Sequence, residues 1–402
     1  MKQPRSGRPG AGGGLGTASR ASSSEPAERL WELFRGTLGQ PPEGIWSAPG
    51  RVNLIGEYLD CCGGTVLPFA ISERTWVAAS SRPDRTVTLR SAQLPGVERI
   101  ELGELAPGRP SGWAGYPAGV LWALEEAGQP IGGLDIMVDG RVPIGAGLSS
   151  SAALECAVGL AARDLYRLQL SAADLATVAQ RAENEFVGMP CGLMDQMVSM
   201  LASAGHLLAF DTAAVRSRPV PFDPQAAGLV LLIIDTGSQR QLAGSAYAQR
   251  RASCDEAARR LGLHWLAQGA ASDLERLDNA VLLRRVRHVL SEAERVRCTL
   301  TSLAAGDLRE VARLMSASHT SLRDDFEVSA EGLDMAVVAA MAAGAWGARM
   351  TGAGFGGCAI ALAPADLAGR VAAAVRGAFE GAHLLPPRIW PAQPSAGACR
   401  DR

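Results

Sequence analysis

An α+β protein of two domains is what this sequence predicts, and three observations carry the prediction. The chain has 402 residues, more than one small hydrophobic core organises. Strand-like runs crowd its first third, whereas helical patterns fill most of the stretch from Asp235 to Ala343. No internal repeat or regular strand–helix alternation runs through it, which argues against a doubly wound parallel sheet.

The elements follow in order. Residues 1–24 are rich in Gly, Ser, Ala and Arg, with no acid before Glu25 and no apolar stretch of a secretory signal. They read as a disordered tail, although an Arg- and Ser-rich, acid-poor start also fits an organelle transit peptide loosely. Leu30, Trp31, Leu33 and Phe34 have helical spacing within 28–38. Strand-like runs cover 45–48, 66–71, 75–80 and 86–90. A helix over 113–127 stops at Gly128, and a strand covers 134–138. A Gly-rich turn at 144–151 then feeds a helix to about Tyr166, with serines at its start. A further helix over 172–187 is broken at 188–192, and the next begins near Leu193. Gly228–Asp235 is a continuous Leu, Val and Ile run, the mark of a buried strand. After the helical stretch, strands at 345–351 and 358–362 flank a second Gly-rich turn. A helix over 365–379 and a last short strand complete the chain. The Pro-containing stretch 217–225 is the expected boundary, dividing the chain into domains 25–222 and 223–402.

Composition excludes several classes of function. With 39 Lys+Arg against 41 Asp+Glu and a net charge of −2, the chain lacks the basic excess of a nucleic-acid binder. Its longest apolar stretches, 226–234 and 335–348, fall short of the roughly 18–20 residues that span a membrane. The 8 cysteines include no CxxC pair and the 5 histidines no HExxH, so a disulfide frame or a thiolate metal centre is not expected. Reduced thiols in a cytoplasmic protein are the expectation. Aromatics at 5% and 46 glycines imply a core of Ala, Leu and Val with closely packed helices.

Three segments carry chemistry. The first is Ile144-Gly-Ala-Gly-Leu-Ser-Ser-Ser-Ala-Ala153. Its glycines let backbone N–H groups converge, and the helix behind points its positive end into the loop, which suits a phosphate. No Gly-Lys-[Ser/Thr] follows, so it is not a Walker A loop, and it lacks the third glycine of a dinucleotide fingerprint. Taken alone it fits an ordinary helix cap equally well. The second is Met350-Thr-Gly-Ala-Gly-Phe-Gly-Gly-Cys358, with more glycines than a plain strand connection needs, as in a loop that approaches a ligand. The third runs from Ser47 to Asp60. There Arg51, Asn53, Glu57 and Asp60 stand among apolar residues and must be paired or used; an ion pair between Arg51 and a carboxylate is the structural alternative.

Together the three segments resemble the GHMP small-molecule kinases and, within them, the galactokinase family. Arg51–Asp60 is similar to the signature that usually reads GRVNLIGEHTDYNGG, Pro143–Glu155 to the second motif and Met350–Cys358 to the third. Other family-like stretches are Ala182–Gly188 with Cys191–Gln196, Asp235–Gly237, Tyr247 with Arg250 and Arg251, 287–289 with 294–296, and His319–Ser329. The resemblance implies a fold with the active site between an N-terminal mixed α/β domain and a C-terminal ferredoxin-like α+β domain. It implies ATP-dependent phosphorylation of the anomeric hydroxyl of galactose, with Mg²⁺ as cofactor and ATP and the sugar as partners. Carried over residue by residue, Asp195 faces that hydroxyl with Arg51 beside it, as the catalytic pair. Glu57, Tyr58, Asp60, Gly192 and Tyr247 hold the sugar. Gly145, Ala146, Gly147, Leu148, Ser149, Ser150 and Ser151 wrap the triphosphate, Trp113 lies near the adenine, and Ser151 with Glu183 holds the metal, Ser150 being the less favoured neighbour.

Each residue also has a structural reading: Glu183 as a solvated charge, Trp113 as a core aromatic, Asp195 as a helix cap, and His288 and His319 as buried structural groups. The signature departs from its usual form at Tyr58 (usually His), Leu59 (Thr), Cys61 and Cys62 (Tyr-Asn), and the helix at Trp113–Tyr116 lacks its usual Asn. These departures touch the sugar and not the reaction. A related kinase for galactosamine, N-acetylgalactosamine, arabinose or a uronic acid is the alternative, with a non-catalytic sugar sensor behind it. No apolar surface stripe is evident, and a monomer is the expectation.

Overall fold

A computed structural model describes residues 24–238 and 243–402; the tail expected at 1–24 lies outside them except for its last residue. Helix α1 (Ser24–Leu38) leads into β1 (Gly44–Asn53), the short β2 (Thr65–Val66), β3 (Pro68–Ser81), β4 (Thr86–Ser91) and β5 (Glu98–Glu101). Helix α2 (Gly115–Glu126), entered through a 3₁₀ turn at Gly112–Ala114, precedes β6 (Leu134–Gly140). All of these strands except β2 join one sheet, in which β3 lies between β1 and β6; β4 runs parallel to β6 and carries β5 on its other edge.

The period of two along a strand gives this sheet two apolar faces. Trp76 and Ala78 of β3 join Leu30 and Phe34 of α1 in a small cluster, whereas Val77 and Ala79 enter the main core. There α3 (Ser150–Tyr166) packs on β1 and β3, buried continuously from Ala152 to Ala162. A helix apolar on every side can only sit inside. Around it stand α2, α4 (Ala172–Arg181) and α5 (Met194–Leu201). The two runs at 66–71 and 75–80 prove to be mostly one strand, because buried Arg74 finds partners in Ser47 and in the Ala396 and Gly397 carbonyls.

The hairpin β7 (His206–Asp211) and β8 (Arg216–Pro221), which adds to β2 as a three-stranded sheet, gives no sequence signal. β8 is an exposed edge strand and can therefore carry Pro219, which a central strand excludes.

The second half contains β9 (Leu229–Asp235), α6 (Ala243–Leu261), α7 (Ala280–Ala304), α8 (Leu308–Asp324) and α9 (Glu331–Ala342). It continues with β10 (Gly347–Met350), β11 (Cys358–Pro364), α10 (Ala368–Gly381) and β12 (Arg388–Ala392). Its strands pair antiparallel in the order β10-β11-β9-β12, with α8 and α9 packed on β10, the ferredoxin-like α+β arrangement expected. The chain then returns: β13 (Cys399–Arg400) pairs with Ser47 and Trp46 of β1. All 8 cysteines are free thiols. Among the described residues no helix is long and apolar enough to cross a membrane.

Candidate active site

The three chemical segments converge on one cavity of about 310 Å³, lined from both halves of the chain. Its floor begins at a register shift between Pro49 and Arg51 of β1, a bulge of the kind that re-aims a side chain. Gly50 leaves no room there, since a Cβ would stand 2.5 Å from the Leu148 carbonyl oxygen. The Arg51 amide donates to that same oxygen at 3.0 Å, and its guanidinium Nη1 donates to the Gly147 carbonyl at 2.6 Å. Nε and Nη2 clamp Asp195 in a bidentate pair at 2.8 and 2.9 Å. The ion pair that the sequence left as an alternative for Arg51 thus involves Asp195. Asp195 lies in the first turn of α5, where the helix dipole favours an anion, and it caps nothing.

Above this pair runs the Gly-Ser loop. Gly145 and Gly147 take φ of 75° and 80°, and Ser149 follows at 60°. Gly145, Gly147, Ser149, Ser150 and Ser151 line the cavity. Ala146 and Leu148 turn their side chains into the core, at 4% and 0% exposure, and neither lines the cavity. The Ser149 hydroxyl donates to Asp195 Oδ2.

The helix expected to run evenly to Val187 instead widens after Arg181 into a π turn, Ala182–Val187, which carries Glu183. Glu183 is buried, not the solvated charge of its structural reading. Its Oε2 accepts from Gln196 Nε2 at 2.9 Å and from the Cys191 thiol at 3.6 Å, and its carboxylate also bonds Ser151. Burial, with the Asp195 carboxylate adding to it, pushes the Glu183 pKa up to about 7. Ser151 and Glu183 form the hydroxyl–carboxylate pair that a hard cation accepts, and that cation would relieve the crowded negative charge. Glu155, fully buried below them, shares the Gln196 amide at 3.3 Å.

The sugar-signature residues divide. Asp60 faces the cavity, its pKa raised to about 6 by burial first and the nearby Asp195 second. Its carboxylate lies so close over Gly192 that a Cβ there would be 2.0 Å from Oδ2, which explains the glycine. Tyr247 lines the cavity and stacks on Tyr58 at 5.4 Å. Tyr58, expected to hold the sugar, also lines the cavity; its hydroxyl donates to the Ala353 carbonyl at 2.6 Å while its ring packs on Phe326 at 4.5 Å. Glu57 borders the cavity, yet both its oxygens are engaged. Oε1 accepts from Thr351 Oγ1 at 3.1 Å and Gly352 N at 2.8 Å; Oε2 accepts from Asn53 and pairs with Arg349 at 3.0 Å. Both side chains therefore tie the signature to the second Gly-rich loop, whose Gly352 and Ala353 also line the cavity.

Trp113 does not reach the cavity. It sits on the 3₁₀ turn before α2, half-buried against the core. His288 bonds Ser321 and the Glu57 carbonyl, and burial lowers its pKa and that of His319 to about 4, which fits structural groups. Sequence reasoning missed Tyr116, Met189, Pro190 and Met194 in the lining, and Arg349 behind it. Only Arg349 left a signal, as the one charge in an apolar run.

Comparison with known proteins bears on this geometry. Family models match the "GHMP kinases N terminal domain" over residues 115–203, the "Galactokinase galactose-binding signature" over 32–81 and the "GHMP kinases C terminal" over 299–381. The chain is 46% identical over 381 residues to the galactokinase of Streptomyces coelicolor, covering 93% of this chain and 98% of that protein. It is 42% identical over 361 residues to that of Mycobacterium tuberculosis, covering 88% and 99%. Among solved structures, Lactococcus lactis galactokinase complexed with galactose superposes with a TM-score of 0.89 at 32% identity, covering 93% of this chain and 99% of that one. The mevalonate kinase of Methanococcus jannaschii shares the fold, with a TM-score of 0.61 at 18% identity over 88% and 98%.

Proposed function

The chain belongs to the galactokinase family of the GHMP kinases, and from that premise we propose that it transfers the γ-phosphoryl group of ATP to the anomeric hydroxyl of galactose, giving α-D-galactose 1-phosphate and ADP. The observation that carries this reading is the bidentate Arg51–Asp195 pair between the sugar-signature residues and the Gly-Ser loop.

A sugar hydroxyl is a poor nucleophile, so a carboxylate that orients it and accepts its proton lowers the barrier. We assign that task to Asp195, whose clamped oxygens cannot turn away. Arg51 stabilises the developing alkoxide and the charge on the moving phosphoryl group. Asp60, Tyr247 and the backbone at Gly192 hold the sugar; Tyr58 and Glu57 support it indirectly by fixing the loop that carries Asp60. Backbone amides of 145–151 cradle the phosphates, aided by the positive end of α3. Mg²⁺ held by Ser151 and Glu183 would neutralise phosphate charge. Such a transfer asks chiefly for alignment, which these fixed elements supply. We place this chemistry in the cytoplasm, with a monomer as the working unit.

An ADP-release screen over galactose, glucose, galactosamine, N-acetylgalactosamine, arabinose and galacturonate tests the reading, with turnover expected to be greatest on galactose. Turnover of another sugar alone would replace the substrate and keep the class. Asp195→Asn is expected to lower kcat by about 10²–10⁴-fold with ATP binding nearly intact; near wild-type turnover would remove Asp195 from its role.

A further inference from the structure

Ser149 occupies the N-cap position of α3, where a serine ordinarily accepts a hydrogen bond from the helix amides. Here it makes no such cap. Its backbone is left-handed, with φ 60° and ψ 49°, a conformation that costs a non-glycine residue energy and is held where the surroundings demand it. The hydroxyl instead reaches Asp195 Oδ2, across 46 positions of sequence.

An ionised carboxylate has about four acceptor positions. Arg51 fills one on each oxygen of Asp195, through Nε on Oδ1 and Nη2 on Oδ2, and Ser149 fills a second on Oδ2. One position remains, on Oδ1. The same arginine grips the Gly147 carbonyl and, through its amide, that of Leu148. Residues 147–149, Arg51 and Asp195 therefore close one ring of hydrogen bonds.

From this geometry we infer that the Ser149 hydroxyl positions the acceptor carboxylate and is not itself a nucleotide ligand: it blocks Oδ2 and leaves Oδ1 as the one place for the sugar hydroxyl. The inference rests on the role assigned to Asp195 above. It also gives the phosphate loop a second task, because any displacement of residues 147–149 moves the carboxylate with it.

The test is steady-state kinetics of Ser149→Gly and Ser149→Ala, with ATP and galactose varied separately. Glycine suits a φ of 60°, so that variant removes the hydroxyl without straining the backbone, and a cooperative melting transition is expected to be retained. A hydrogen bond to a charged group supports an expected fall in kcat of about 10- to 100-fold, with KM for ATP within about two-fold of wild type. A fall in kcat of less than about five-fold in the glycine variant overturns the inference, as does a rise in KM for ATP larger than the fall in kcat. An inactive Asp195→Asn beside a fully active Ser149→Gly would sink this inference alone. A fully active Asp195→Asn would sink the reading beneath it.

Discussion

Asp60 keeps its proton up to about pH 6, because burial and the neighbouring Asp195 carboxylate both disfavour its charged form. Protonation removes the charge that would strengthen its hydrogen bonds to the sugar hydroxyls we assign to it, and turns one oxygen into a donor. Falling pH protonates it, so KM for galactose is expected to rise below pH 6, by about ten-fold at pH 5 relative to pH 8. A flat KM across that range, read from initial rates at saturating ATP, would remove Asp60 from the sugar contacts. Cys61 and Cys62, where the signature departs from its usual form, are both buried behind Asp60 and act as small packing groups. Tyr58 lines the cavity while its hydroxyl donates to a backbone carbonyl, so that departure bears on both the loop and the cavity wall.

At the scale of elements, β10 contributes a residue that no motif announced. Arg349 is fully buried and reaches from β10 to the loop after β1, donating to the Leu54 carbonyl at 2.8 Å and pairing with Glu57 at 3.0 Å. Burial pushes the Glu57 carboxyl up, and Arg349 is the strongest influence holding it down. Arg349→Met would strand that carboxyl, and an unfolding free energy lower by about 3–5 kcal/mol is expected in denaturant titrations. A loss below about 1 kcal/mol would show that Glu57 finds its support elsewhere. The π turn after α4 was illegible for a related reason: residues 172–187 keep a helical pattern throughout, so nothing in the spacing marks the widening.

For the whole molecule, the returning chain end fastens the first sheet. Buried Arg74 gives two of its hydrogen bonds to the Ala396 and Gly397 carbonyls, at 2.9 and 2.8 Å, and Arg400 stacks over Trp46 at 5.1 Å. Deleting residues 393–402 leaves those donors unpaired, and a loss of about 2–5 kcal/mol in unfolding free energy is expected, measured beside the full chain. Equal stability would mean that the sheet closes without its last strand. What the sequence determined by itself was the reaction class and the loops that perform it. A Gly-Ser turn entering a helix, a glycine-dense connection and a polar signature at a strand end are contiguous, and their chemistry is local. The family resemblance placed Arg51 beside Asp195, and the structure gave that pair its bidentate form across 144 positions; the tertiary structure alone decided that Ser149 meets the same carboxylate across 46 and that the chain end meets β1. It also showed Glu57 and Tyr58 bordering the cavity with polar groups engaged within the protein, and Trp113 outside the lining. Such pairings arise from packing between distant segments, and no spacing along the chain encodes them.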